Sequence, residues 1–235
     1  MIQVLKRWNL HKILSETCDS LASIGLKRTL SVIQNRLGDM LFDLRYNTET
    51  VQIETLESLV TVGENAQRGQ RYQPTGALAF RKIFREIAIG PDDIFIDYGC
   101  GKGRALLLAS LRGFKKVIGI EFSSQLCSSC AENIRQFRNK TGSDAVFEVI
   151  CNDVINFRLR NDETVFYFFH PFDDAVMKHV LDNIIKSLED RPRMIHLIYY
   201  LPRHDSIFLN YPRFQKTKKM ISYGYECLIY RYDPS

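Results

Sequence analysis

Three glycines at alternate positions follow an apolar segment that closes on an acid. Residues 93–98 are typical of a buried strand, and Asp97 stands at its end. The glycines that follow are Gly99, Gly101 and Gly103. Residues 105–109 then have helical character. Because glycine permits positive φ and lets a ligand lie against bare backbone, this order predicts the front of a nucleotide-type binding site.

The glycine spacing distinguishes between two kinds of nucleotide site. A dinucleotide fingerprint needs its third glycine at position 104, where this chain has Arg104, so a nucleotide-binding oxidoreductase is disfavoured. The spacing instead resembles motif I of class I S-adenosylmethionine (SAM) dependent methyltransferases. SAM carries an ammonium group and a sulfonium and has no pyrophosphate, which suits an acid at the strand end. The resemblance implies that Asp97 binds the methionine ammonium.

Polar residues also follow the next two predicted strands. The strand over residues 116–121 ends in Glu121, about 20 residues beyond the first motif, where a ribose-binding acid is expected. Residues 145–150 are followed by Asn152 and Asp153, which can accept from the adenine amine or form a local Asx-turn. Tyr98 and Phe122 adjoin the two acids and are assigned to the same cofactor site.

The fourth predicted strand, residues 164–169, leads into the sequence His170-Pro171-Phe172. Amino-methylating enzymes often carry Asn/Asp-Pro-Pro-aromatic here, where side-chain and backbone oxygens hold the target nitrogen and the aromatic ring stacks on it. The resemblance implies catalytic roles of this kind for all three residues, with Phe172 as the stacking ring. A neutral His170 imidazole can take a proton while working near its unperturbed pKa, or the backbone carbonyl can act instead. The other histidines considered, which lack partners at diagnostic spacing, are assigned structural roles: His179, His196 and His204.

Two basic residues begin the helix after the glycines, where positive charge is unfavourable. Lys102 and Arg104 therefore reach the substrate, the SAM carboxylate or solvent. Arg104 is assigned to the cofactor site.

Further motifs resemble those of bacterial class I methyltransferases of largely unassigned substrate. They are Phe42-Asp43-x-Arg45-Tyr46…Thr48, Tyr72-x-Pro74-Thr75, the segment from Asp97 to Arg104, and His170-Pro171-Phe172. That group is similar in two of these motifs to non-SET histone-lysine and mitochondrial protein-lysine methyltransferases. The resemblance implies that Tyr72 and Thr75 close over the cofactor and that the acceptor is a protein lysine. Relatives commonly have Asn where this chain has His170, so a small metabolite, a nucleic-acid base or SAM binding without turnover remain alternatives.

Strands and helices alternate from residue 93 to 201, and two β-like runs, 213–222 and 225–232, follow. This order predicts a Rossmann-like α/β class I methyltransferase fold, with a mostly parallel seven-stranded sheet that ends in an antiparallel hairpin. Residues 71–235 form the predicted methyltransferase domain, and residues 1–70 a helical extension. Gly38 interrupts one of the helical patterns in that extension, and a short helix is predicted over residues 53–59. Thr75 is expected to cap a helix that stops before Gly90-Pro91.

Composition limits the function classes. The 235 residues carry a net charge of +5, no apolar run reaches membrane-spanning length, and no signal peptide is visible. We therefore expect a cytoplasmic protein with reduced thiols and no transmembrane segment. Cys127 and Cys130 share a helix face with apolar residues, which favours core packing over a metal site.

No nucleic-acid-binding module is recognised. The N-terminal helices are expected to pack on the domain, with a lid, a dimer contact or peripheral membrane contact as alternatives. The oligomeric state stays open.

Overall fold

A computed structural model of the protein describes residues 26–52 and 72–234. The helical pattern predicted before residue 26 and the short helix predicted over residues 53–59 lie outside the described residues. The helices are α1 (Leu26–Tyr46), α2 (Ala77–Ile83), α3 (Arg104–Arg112), α4 (Ser124–Thr141) and α5 (Asp174–Asp190). The strands are β1 (Ile94–Tyr98), β2 (Lys116–Glu121), β3 (Val146–Cys151), β4 (Val165–Phe169), β5 (Ile195–Tyr200), β6 (Gln215–Ser222) and β7 (Tyr225–Tyr232).

The strands form one sheet in the order β3-β2-β1-β4-β5-β7-β6. Strands β1 to β5 pair in parallel, whereas β7 is antiparallel to both β5 and β6. This confirms the predicted fold class. The strand order reverses between β1 and β4, and in open α/β sheets ligands bind beyond the carboxyl ends of the strands at such a switch point. Tyr98 is level with Ile120 on β2 and Phe168 on β4, so the three following loops meet at one edge.

Helices cover both faces of the sheet, as the alternating sequence predicts. The side chain of Phe95 packs into a core shared with α1 to α4, while Ile96 and Tyr98 pack into a second core shared with α5. Because both faces are buried, β1 and its neighbours are apolar along most of their length.

Helix α1 runs without a break through Gly38, so the prediction that this glycine interrupts the helix is wrong. A β-carbon at Gly38 would lie 3.0 Å from the Cγ atom of Leu78, so the glycine lets α1 and α2 approach closely. Phe42 and Tyr46 on α1 join the first core. The expected packing of this helix onto the domain is therefore confirmed.

Helix α2 departs from the sequence prediction at both ends. Its N-cap is Gly76 and Thr75 does not cap it; the Asp39 carboxylate on α1 accepts from the Ala77 N–H at 2.7 Å instead. The helix ends at Ile83, well before Gly90-Pro91. The Phe84 carbonyl accepts from Arg112 Nε at 3.2 Å, which gives this backbone group a partner without a further helical turn. Among the described residues, no helix is long and apolar enough to cross a membrane.

Gly103→Ala is expected to lower the free energy of unfolding by about 2–5 kcal/mol. Gly103 has φ +86°, which costs a residue with a β-carbon about 1–2 kcal/mol. The added carbon would also lie 2.5 Å from Cys130 Sγ, and overpacking of this kind costs about 1–3 kcal/mol. Urea denaturation measures the change.

Gly142→Ala is the matched control, because Gly142 has φ +64° but no neighbouring atom within 4 Å of the added carbon. It is expected to incur only the backbone cost of about 1–2 kcal/mol. Equal destabilisation by the two substitutions would contradict a role for close packing at Gly103.

Candidate active site

A cavity lies beyond the carboxyl ends of β1, β2 and β4, at the predicted edge of the sheet. It is open to solvent and holds about 590 Å³ of space between protein atoms and the solvent at its mouth. The predicted site residues that line it are Tyr72, Thr75, Asp97, Gly99, Arg104, Glu121, Phe122, His170 and Pro171. Elements far apart in the chain therefore converge on one space.

Asp97 is a buried acid that faces this cavity. Its exposed fraction is 4%, and within residues 26–52 and 72–234 no hydrogen bond or ion pair engages its carboxylate. Burial, and secondarily the charge of Glu121, raises the pKa of Asp97 well above its usual value. A carboxylate in this position is stabilised by a cation brought by a ligand, and the ammonium group of SAM fits that requirement.

Glu121 is held by two backbone N–H groups. Its Oε2 accepts from Gly101 and its Oε1 from Ser123, each at 2.9 Å. Burial raises the pKa of Glu121, while these N–H groups oppose the shift. Each carboxylate oxygen has a further lone pair for a donor, so the fixed carboxylate can accept from two vicinal hydroxyls such as those of a ribose. The residues present thus fit both the amino acid and the ribose parts of SAM.

The three glycines make room for neighbouring side chains more than they expose backbone to a ligand. A β-carbon at Gly101 would overlap the Tyr72 ring, and one at Gly99 would lie 2.8 Å from Pro171 Cβ. Gly103 is required by Cys130, as described above. Of the three, Gly99 lines the cavity, so close approach of Tyr72, Pro171 and Cys130 explains most of the glycine pattern.

Arg104 lines the cavity, but its charge is engaged within the protein. Only 1% of the side chain is exposed, and its guanidinium pairs with Asp39 at 3.0 Å and Asp43 at 3.2 Å. Its Nε also hydrogen bonds to Thr50 Oγ1. The alternative that Arg104 is solvated is therefore wrong. Lys102 is buried as well, with Nζ 5.6 Å from the centre of the Tyr72 ring.

The segment before α2 covers one side of the cavity. The Tyr72 hydroxyl donates to the Thr50 carbonyl at 2.7 Å, and the hydroxyls of Thr75 and Tyr167 lie 3.0 Å apart. Gln73 and Pro74 also line the cavity, and sequence reasoning missed them although they lie inside the Tyr-x-Pro-Thr motif.

His170, directly after β4, has a left-handed backbone conformation with φ +39°. Pro171 consequently lines the cavity, whereas Phe172 is buried in the second core, with its ring 6.3 Å from that of Phe168. The expectation that Phe172 stacks on a target nitrogen is therefore wrong. Phe169, the last residue of β4, lines the cavity instead.

His170 has an uncharged imidazole near neutral pH. Burial, followed by the charges of His204 and Arg203, lowers the pKa of His170 to about 4. Its buried Nδ1 has no hydrogen-bond partner within the described part of the chain. The expectation of an unperturbed pKa is thus wrong. The His204 ring lies 5.5 Å from the His170 ring, so His204, assigned a structural role from sequence, adjoins the site.

Three of the predicted cofactor residues remain to be placed, and none of them lines the cavity. The Asn152 side chain accepts from the Asp153 N–H at 2.8 Å, and Asp153 accepts from the Ile155 N–H at 3.2 Å. This is the local turn that the sequence left as an alternative to adenine binding. Tyr98 is buried against Phe168, with ring centres 5.0 Å apart.

Cys127 and Cys130 both lie on the buried side of α4, which confirms that they pack in the core. Cys127 Sγ donates to the Glu121 carbonyl at 3.4 Å. No group of three or more potential metal-ligating side chains occurs in residues 26–52 and 72–234.

Solved structures of similar fold define the fold class. The chain superimposes on the glycopeptide N-methyltransferase MtfA, crystallised with SAM, with a TM-score of 0.54 and 11% identity, over 69% of this chain and 96% of that one. A SAM-dependent methyltransferase from Aquifex aeolicus gives a TM-score of 0.51 and 13% identity, over 65% and 88% of the two chains. The fold is thus that of class I SAM-dependent methyltransferases.

Sequence comparison gives the family. The model of the histone methylation protein DOT1 family matches residues 70–208, more than half of the chain, so the protein belongs to that family. A histone-lysine N-methyltransferase of Caenorhabditis elegans, specific for H3 lysine-79, is 28% identical over 136 residues. The match covers 54% of this chain and 14% of the length of that relative.

The pKa of His170 can be measured by NMR. We expect its ring protons to titrate near pH 4, because burial disfavours the charged imidazolium. His170→Asn assigns the resonance, and His204→Asn is expected to raise the pKa because it removes a neighbouring positive charge. A midpoint near pH 6.5 in the unmodified protein would contradict this environment.

Proposed function

We propose that the protein transfers a methyl group from SAM to the side-chain amine of a protein lysine. The observation that carries the cofactor assignment is the pair of buried acids, Asp97 and Glu121, that face one cavity at the switch point of the sheet. Membership of the DOT1 family supports a protein acceptor. The resemblance to bacterial methyltransferases of largely unassigned substrate is part of the proposal. Two residues of the motifs that carry this resemblance, Tyr72 and Thr75, line the cavity.

The cofactor roles of the two acids follow from the hydrogen bonds that each carboxylate can still accept. Asp97 binds the methionine ammonium, and Glu121 accepts from the ribose hydroxyls while Gly101 and Ser123 hold its oxygens. Phe122 follows Glu121 and presents apolar surface to the nucleoside. Asn152 and Asp153 stay candidates for the adenine amine.

The acceptor side of the cavity is formed by Phe169, His170 and Pro171. Bound SAM supplies a methyl carbon on a positively charged sulfur, which leaves as a neutral thioether without help from an acid. A pKa of about 4 makes His170 a weak base, so it acts as a hydrogen-bond acceptor for an amine N–H and orients the nitrogen lone pair. Phe169 contributes an apolar wall that excludes water.

The bounds of the methyltransferase domain and its location in the cell are part of the same proposal. Residues 71–235 form the methyltransferase domain, and α1 supports its cavity wall because Asp39 and Asp43 pair with Arg104. A cytoplasmic location is supported by free thiols in the described part of the chain: Cys100, Cys127, Cys130, Cys151 and Cys227.

Transfer of labelled methyl from SAM tests the acceptor class. The protein is added to a lysate of a strain that lacks it, and label is followed into protein, nucleic acid and small molecules. We expect label in a protease-sensitive fraction, at lysine after hydrolysis. Label in nucleic acid or small molecules would contradict a protein acceptor, and SAM binding without label anywhere would favour a binding protein without turnover.

Glu121→Ala is expected to weaken SAM binding by about 1–3 kcal/mol, through the loss of charge-assisted hydrogen bonds to the ribose. Calorimetric titration measures the affinity. Glu132→Ala is the matched control, because Glu132 is an acid on α4 that pairs with Arg135. Equal affinity of the Glu121 variant and the unmodified protein would exclude the ribose role.

A further inference from the structure

Two residues of the motif in residues 42–48, Phe42 and Asp43, contact the same guanidinium group. The Cζ atom of Arg104 lies 4.7 Å from the centre of the Phe42 ring, and one arm of its guanidinium pairs with Asp43. Asp39, one turn earlier on α1, takes the other arm. A motif that carries no residue of the cavity wall thus has a common target at the start of α3.

Asp43 also fixes the chain that follows α1. Its Oδ1 accepts from the hydroxyls of Thr48 and Thr50 at 2.7 and 2.8 Å. Its Oδ2 accepts from the N–H groups of Thr50 and Val51 at 2.8 and 3.0 Å. A side chain with four such donors holds residues 48–51 in one conformation beside Arg104.

Thr50 connects this network to the cavity. Its hydroxyl hydrogen bonds to Arg104 Nε, and its carbonyl accepts from the Tyr72 hydroxyl at 2.7 Å. The Tyr72 ring in turn occupies the space that a β-carbon of Gly101 would need, and it lines the cavity. Tyr72 is therefore held at its hydroxyl by Thr50 and at its ring by the glycine loop.

We propose that Arg104 is a positioning residue that holds Tyr72 over the cofactor through Thr50, and that the motif in residues 42–48 serves to fix its guanidinium. The inference rests on the proposed function, since it takes SAM as the ligand of the cavity. An arginine is required because its planar fork contacts two carboxylates and a hydroxyl together, whereas a lysine offers a single ammonium.

A double-mutant cycle on SAM affinity tests the connection. Calorimetry is carried out on the unmodified protein, Arg104→Lys, Tyr72→Phe and the double variant. Each single change is expected to weaken SAM binding by roughly fivefold to tenfold, the cost of one lost buried hydrogen bond. If Arg104 acts through Tyr72, the double variant binds about as weakly as the weaker single variant. Multiplicative effects, or an unchanged affinity of Arg104→Lys, would overturn the proposal.

Arg138→Gln is the matched control. Arg138 is an exposed arginine that also donates to a backbone carbonyl, that of Ala145 at 2.8 Å, and lies over an aromatic ring, that of Phe147, but it does not line the cavity. Its substitution is expected to change SAM affinity less than twofold. Should Arg104→Lys fail to fold, Thr50→Ala replaces it in the cycle, because it removes the hydroxyl and keeps the carbonyl, and additive effects would again overturn the proposal.

The unmodified protein separates this inference from the proposed function. If it binds no SAM, the proposed function fails. If it binds SAM and the cycle is additive, the cofactor assignment stands and the positioning role of Arg104 fails.

Discussion

The site is built around two buried carboxyl groups that no cationic side chain in the described part of the chain pairs with. Asp97 and Glu121 end adjacent parallel strands, and neither forms an ion pair within the described residues. Burial of an unpaired charge costs several kcal/mol, of about the same size as the stability of a domain. A ligand with a cationic group and paired hydroxyls offsets that cost. The register of β1 and β2 and the backbone N–H groups that hold Glu121 keep the two acids in place for such a ligand.

Helix α1 carries a second pair of buried acids, and these are paired with a cation. Asp39 and Asp43 pair with Arg104, one residue after the last glycine, so α1 contributes charge to the first turn of α3. Burial nevertheless raises the pKa of Asp39 to about 6, in spite of the opposing charge of Arg104. The two pairs of acids therefore differ in function. Asp39 and Asp43, paired with Arg104, stabilise the wall of the cavity, whereas Asp97 and Glu121, without a cationic partner in the described residues, face its interior. Binding sites are commonly supported in this way by a rigid shell of residues behind those that contact the ligand.

The local sequence pattern predicts the strands and the acids at their ends. Each parallel strand is a short apolar run, and the carboxyl ends of these strands lie at one edge of the sheet. The pattern failed where the deciding contact is distant. The partners of Arg104 lie 54 to 65 residues earlier in the chain, and the residue that caps α2 lies on α1. Phe172 was misplaced because the left-handed conformation of His170 turns the next residues, which no residue count reveals.

A crystal structure of the protein with S-adenosylhomocysteine is the most direct test of the central claim. The claim predicts that both ribose hydroxyls lie within hydrogen-bonding distance of the Glu121 carboxylate and that the amino group contacts Asp97. It also predicts that the Tyr72 ring stays against Gly101 over the nucleoside. A nucleoside bound at another edge of the sheet, or bound in this cavity without contact to either acid, would contradict the claim.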